Sequence, residues 1–252
     1  MKFSWPAGPR QNLRLCYSKT RRPYGSTLAP GSGRPTRMNY FSHGYRFVDD
    51  PYFLAGTAVP DWLSVIDRRV RVRPKDAAAH ADCSDPILCR VARGVARHHA
   101  DDAMFHAGAA FNELNWRFTA DIRDLLGGDA GMRPSFLGHI LVELLLDSVL
   151  IEERPQLLDE YYRAMAEVEN WVVEEAVNRM QPRRTERLAV LISVFTRERF
   201  LCDYPSDDRL LRRLNQVMRR VGLEQLPERF CELLPAARTT VRERRRELLE
   251  GA

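Results

Sequence analysis

Apolar residues recur at three- and four-residue intervals along most of the chain after Met38, which is the spacing of amphipathic helices. Strand-like alternation of apolar and polar residues is nearly absent. Prolines and glycines fall where helices begin and end, as at Pro86, Pro134 and Gly127. The pattern predicts helices over residues 53–66, 86–107, 109–126, 134–151, 155–180, 185–202, 207–221 and 227–249. We therefore expect a single all-α domain over residues 38–252.

Residues 1–37 differ from the rest in composition. They carry eight basic side chains, no acidic one, five prolines and four glycines. The composition predicts a disordered basic extension, and a start codon assigned upstream of Met38 would produce the same segment. Since the whole chain has a formal charge of +5, the remainder is mildly acidic and presents no overall basic surface for nucleic acid.

The composition also limits the class of protein. With 44% hydrophobic and 29% charged residues, the chain is typical of soluble globular proteins. No run approaches the roughly 20 apolar residues of a membrane span, so no membrane association is expected. Five scattered cysteines without a C-x-x-C pair indicate a reducing cytoplasm rather than a disulfide framework or a zinc knuckle.

One predicted helix carries polar residues in an otherwise apolar setting. Residues 136–151 are apolar almost all round, which predicts burial on nearly every side. The exceptions His139, Glu143 and Asp147 are spaced i, i+4, i+8 and therefore share one face. Because a buried carboxylate is costly unless it is paired or binds a cation, this face is expected to meet a positive charge.

A second helix repeats the pattern. His98, Asp102 and His106 are spaced i, i+4, i+8, and His99 lies close enough to join them. Imidazole and carboxylate together suit borderline divalent ions such as Zn²⁺, Mn²⁺ or Fe²⁺. If the polar faces of these two helices are directed at each other in a bundle, their side chains would together surround such an ion.

Two other interpretations remain open. Asp101 and Asp102 beside Arg97 can form salt bridges on a solvated face, and the chain would then be a non-catalytic helical interaction protein. A ferritin-like di-metal oxidase is disfavoured because no E-x-x-H pair occurs around Glu143 or Glu113.

The start of the predicted domain resembles a known family. The segments M-N-Y-F-S-H at 38–43 and A-G-T-A-V-P-D-W-L at 55–63 are similar to the opening motifs M-N-F-L-A-H and S-G-N-L-L-A-D-F of the acyl-carrier-protein phosphodiesterases. The separations from His43 to Gly56 and to Asp61 match those of this family.

Two later segments extend the resemblance to about residue 150. G-V-A-R-H-H-A-D-D at 94–102 resembles the family's G-I-x-x-H-R-x-I-D helix, with His99 where the family has arginine. The helix over 136–151 takes the place of the family's D-x-x-x-D-H segment, with Leu144 instead of the final histidine.

The resemblance implies an all-helical fold related to HD-type phosphohydrolases and a divalent metal, which is manganese in characterised members. It also implies hydrolysis of the phosphodiester between phosphopantetheine and a carrier-protein serine, with holo acyl carrier protein as the substrate. The metal is expected to bind to some of eight candidates: His43, Asp61, His98, His99, Asp102, His106, His139 and Glu143.

The expected mechanism follows from the metal. A bound divalent ion lowers the pKa of its water and stabilises charge on phosphoryl oxygens. Catalytic roles are expected for Asp61, Asp102 and Asp147, either at the metal or in orienting the water or a ligand histidine. Candidates for binding the substrate phosphate are Arg46, Arg97 and Arg117.

Overall fold

A computed structural model describes residues 40–67, 69–128 and 130–250, and among these residues it contains helices and no strand. The predicted all-α fold is confirmed. The helices are α1 (Tyr40–Gly44), α2 (Pro51–Ile66), α3 (Pro74–Ala78), α4 (Pro86–Ala107), α5 (Ala109–Leu125), α6 (Pro134–Glu153), α7 (Pro155–Ala166), α8 (Asn170–Met180), α9 (Leu188–Glu198), α10 (Asp207–Val221) and α11 (Leu234–Glu250). Short 3-10 segments cover Tyr45–Phe47, Ala130–Met132, Phe200–Asp203 and Glu228–Glu232. The predicted basic extension, 1–37, lies outside the described residues.

Local chemistry sets the ends of the best-predicted helices. The predicted segments 86–107 and 207–221 match α4 and α10 residue for residue. At the start of α4 the Asp85 carboxylate accepts hydrogen bonds from the backbone N–H groups of Ile87 and Leu88, and Pro86 occupies a position where no backbone donor is needed. Such caps involve only neighbouring residues, so a sequence pattern predicts them well.

Three of the predicted helices are interrupted or shortened in the structure. Residues 155–180 form α7 and α8 with a break at 167–169, where Val168 turns into the core. Residues 185–187 precede α9 instead of belonging to it, because the Asn178 side chain pairs with both backbone groups of Thr185. That helix ends at Glu198, since Arg199 adopts a left-handed φ of 44°. The segment 227–249 begins with a 3-10 turn before α11.

Helix α6 lies at the centre of the bundle, in contact with α1, α5, α7 and α11. Its length and composition would suffice to cross a membrane, so the expectation that no segment approaches this length is wrong for α6. However, 89% of its apolar window is buried inside the protein. The hydrophobicity of α6 is therefore accounted for by the protein core.

Helices α2 and α4 cross at unusually short range because glycines meet at the crossing point. A Cβ atom on Gly94 would lie 2.2 Å from the carbonyl oxygen of Phe53, and one on Gly56 would lie 2.4 Å from that of Val91. Only glycine permits this approach. One consequence is that the next carbonyl of α2, that of Thr57, reaches a histidine side chain on α4.

Candidate metal centres

The structure gathers His43 of α1 with His98 and Asp102 of α4 in what we name the first cluster, and all three residues are buried. His43 Nε2 lies 3.6 Å from Asp102 Oδ1, and His98 Nε2 lies 3.3 Å from Asp102 Oδ2. Two donors that bind one tetrahedral ion at about 2.1 Å are themselves about 3.4 Å apart. The spacing of the first cluster therefore suits the ligands of a single cation.

The tautomer of His98 shows which of its nitrogens faces the cluster. Its Nδ1 lies 2.8 Å from the carbonyl oxygen of Thr57, which can only accept a hydrogen bond, so the proton is on Nδ1 and Nε2 presents a lone pair. Burial, followed by the charge of His43, lowers the pKa of His98 to about 4 and keeps the ring neutral.

His98 Nε2 makes no hydrogen bond to any described residue and faces the carboxylate of Asp102. Two acceptors in this arrangement repel each other, whereas a cation between them converts the contact into two ligand bonds. A ligand histidine whose second nitrogen is held by a backbone carbonyl is the usual arrangement in protein metal sites.

His43 is surrounded by acidic groups. Its Nδ1 lies 3.6 Å from Asp101 Oδ2, in addition to the contact of Nε2 with Asp102. Burial lowers the pKa of His43, but Asp101 and Asp102 outweigh it, and the pKa rises to about 10. The imidazolium thus places a positive charge beside the carboxylates of Asp101 and Asp102 on α4. A metal binding there takes the place of that proton.

Asp101 belongs to this site, although the sequence pattern left it as one partner of a surface salt bridge. One of its oxygens contacts His43 and the other lies 2.8 Å from Arg97 Nε. The Asp101 carboxylate is largely covered, with 18% side-chain exposure. Its position next to Asp102, four residues after Arg97, is the signal that could have identified it.

Asp147 of α6 positions His43 and is not itself part of the first cluster. Its oxygens accept hydrogen bonds from the backbone N–H groups of Phe41 and Ser42, at 2.9 and 2.7 Å. Burial raises the pKa of Asp147 to about 6 despite these bonds. Because both oxygens accept hydrogen bonds from the α1 backbone, Asp147 holds the segment that carries His43, and its expected catalytic role stays a prediction.

The second cluster consists of His106 of α4 with His139 and Glu143 of α6. His106 Nε2 and His139 Nε2 lie 3.1 and 3.0 Å from the same oxygen, Glu143 Oε1. The two imidazole rings stack at 4.8 Å with an angle of 13°. Burial raises the pKa of Glu143, but the two histidines outweigh this effect and hold it below its usual value.

Of the eight candidate metal ligands, His99 and Asp61 lie outside both clusters, and so does the phosphate-binding candidate Arg117. His99 points toward the segment before α3, where its Nε2 lies 2.9 Å from the carbonyl oxygen of Val72; one helical step of 100° turns it away from His98. Asp61 is buried on α2, and its charge contributes to raising the pKa of His43. Arg117 is exposed on α5, 3.9 Å from Asp121. Among the described residues the candidate ligands form two clusters, and the second joins the polar faces of α4 and α6.

An open cleft borders His43 of the first cluster, and its volume of about 490 Å³ includes space open to solvent. His43, Arg46, Arg97 and Asp101 form its polar wall. Arg46 is exposed, and its Nε donates to the hydroxyl of Tyr45 at 2.9 Å. The apolar part of its lining consists of Phe47, Met104, Phe105, Leu146, Leu248 and Leu249. Two of the three arginines expected to bind phosphate thus lie beside the first cluster.

No family model matches the chain, and neither the curated proteins nor the solved structures compared with it give a match. The resemblance to the acyl-carrier-protein phosphodiesterases accordingly rests on the short motifs at 38–43, 55–63 and 94–102. The described residues form an all-helical protein with one buried and one partly buried cluster of histidine and carboxylate groups, and both are candidate metal sites.

Proposed function

We propose that this protein is a metal-dependent hydrolase of phosphoesters and that the first cluster holds its divalent cation. The observation that carries the proposal is the neutral His98, whose Nε2 lone pair faces the Asp102 carboxylate next to an open cleft. Two imidazoles and one carboxylate leave coordination positions for water and substrate, as in catalytic sites. A cation there supplies hydroxide near neutral pH and neutralises phosphoryl charge.

The residues of the cleft suit a phosphoester. The guanidinium groups of Arg46 and Arg97 can bind phosphate oxygens in pairs, and Asp101 holds Arg97 at the cleft wall. The apolar residues of the cleft provide contacts for an organic group attached to the phosphate. Together with the motif resemblance, this favours a phosphodiester, and holo acyl carrier protein is one candidate substrate.

Metal analysis and an activity screen test the proposal. Protein purified without chelator or affinity tag is expected to contain transition metal. After chelation, Mn²⁺, Zn²⁺ or Fe²⁺ at a hundred times its Kd should stabilise the fold by about 2.7 kcal/mol. For a chain of this size that corresponds to a Tm increase of about 5 to 10 °C.

The metal-loaded protein is then assayed with a generic phosphodiester, phosphomonoesters, nucleotides and holo carrier protein. Hydrolysis in at least one class is expected. A chain that contains no metal, gains no stability from added ions and hydrolyses none of these compounds contradicts the proposal. These three negative results together are expected for the alternative, a non-catalytic interaction protein whose polar groups form salt bridges.

Arg46→Ala is expected to raise KM for a phosphodiester about tenfold or more, since one charge-assisted hydrogen bond to phosphate contributes about 1.5 to 3 kcal/mol. The metal content should be unchanged, because Arg46 lies at the cleft wall and not in the first cluster. Arg117→Ala is the matched control on α5, away from the cleft, and should behave as the wild type. Steady-state kinetics of both variants check this, and equal KM values would contradict it.

A further inference from the structure

The second cluster is a metal site in its own right. We propose that His106, His139 and Glu143 bind a second divalent transition-metal ion that cross-links α4 to α6 and takes no part in the hydrolysis. Two imidazoles and one carboxylate select borderline ions such as Zn²⁺ over Mg²⁺ or Ca²⁺.

The spacing of the donor atoms fits one ion. Glu143 Oε1 lies 3.0 and 3.1 Å from the two Nε2 atoms, and suitable donor atoms of the three residues all lie within 4.8 Å of one another. His106, like His98, is held through its Nδ1, but its Nε2 is hydrogen-bonded to Glu143 Oε1 at 3.1 Å. Its Nδ1 lies 2.7 Å from the carbonyl oxygen of Asp102, which places a proton on Nδ1 and makes Nε2 the nitrogen that a cation would bind in place of its hydrogen bond to Glu143.

Glu143 provides an independent indication. The residue has no exposed surface, and its Oε2 accepts no hydrogen bond from the described residues. His139 Nε2 is close to Oε1 but is not aligned to donate a hydrogen bond to it. A buried carboxylate with one unused oxygen is costly in a purely hydrogen-bonded cluster, whereas a cation satisfies the oxygens and both imidazoles together.

The surroundings of the second cluster indicate a structural role. None of its residues lines the cleft beside the first cluster. The ring of Phe111 packs edge-on against both imidazoles, with centroids at 4.8 and 4.9 Å, and covers the site. Only 19% of the His106 side chain and 15% of the His139 side chain are exposed. An ion held there joins two helices that are far apart in the sequence and leaves little room for a substrate.

The test is the metal stoichiometry of the full chain loaded with Zn²⁺, measured after gel filtration together with Tm. Wild-type protein is expected to hold two ions per chain. His139→Gln should hold one and melt at a lower temperature, while retaining phosphodiester hydrolysis within about threefold. His98→Gln should also hold one ion but lose hydrolysis. His80→Gln is the matched control, because His80 lies outside both clusters with its Nδ1 2.9 Å from the Asp76 carbonyl oxygen.

The outcomes separate this inference from the proposed function. One ion in the wild type and none in His139→Gln supports the second site and contradicts the first. One ion in the wild type and still one in His139→Gln overturns the inference. The second cluster is then stabilised by hydrogen bonds and not by a metal ion. If His139→Gln fails to fold, Co²⁺ binding to His98→Gln is measured instead, because this variant keeps the second cluster intact and lacks a ligand of the first. Visible absorption from imidazole-bound Co²⁺ in this variant supports the second site. No such absorption overturns the inference.

Discussion

Replacing His98 by glutamine is expected to reduce phosphodiester hydrolysis about a thousandfold or more. The substitution removes an imidazole ligand whose Nε2 faces Asp102, and with it the cation that activates water. One equivalent of bound metal should be lost at the same time. Because His98 is completely buried, circular dichroism and thermal unfolding are measured in parallel to show that the helices remain.

The neighbouring residue provides a matched control. His99→Gln changes the same residue type on the same helix, but His99 bonds to the Val72 carbonyl oxygen and lies outside both clusters. It should retain metal and activity and lose about 1 kcal/mol of stability. Asp102→Asn, which preserves volume and removes the charge, should behave like His98→Gln. Equal activities of the His98 and His99 variants would show that the first cluster is not catalytic.

Replacing Gly94 by alanine is expected to destabilise the fold by about 3 kcal/mol, at the upper end of overpacking effects. The new methyl group would lie 2.2 Å from the Phe53 carbonyl oxygen and 2.8 Å from the Gly56 Cα, so α2 and α4 must separate. For a chain of this size the loss corresponds to a decrease in Tm of about 6 to 12 °C.

Separation of α2 and α4 also withdraws the Thr57 carbonyl oxygen from His98. Loss of such a supporting hydrogen bond typically weakens metal affinity about 10- to 100-fold. Gly128→Ala is the control, because nothing lies within 4 Å of its new methyl group and only the positive φ of 79° resists it, at a cost of about 1 kcal/mol. Equal decreases in Tm would mean that the crossing is not closely packed.

Much of the helical structure follows from local features of the sequence. The spacing of apolar residues predicts most of the helices, and the bounds of α4 are set by Asp85, Pro86 and neighbouring backbone groups. The errors occur where distant residues intervene. The break after α7 depends on Val168 entering the core, and the start of α9 depends on Asn178 reaching Thr185. No pattern within a single helix contains these contacts.

The amino-acid sequence by itself determined which polar residues share a helix face, because every residue advances 100° and positions i, i+4 and i+8 must align. Only the tertiary structure decided which faces meet. Asp147 of α6 brings His43 of α1 to His98, the close glycine crossing turns Nε2 of His98 to Asp102, and His106 is directed to Glu143 instead. These pairings depend on how helices cross, and long-range packing sets the crossing points.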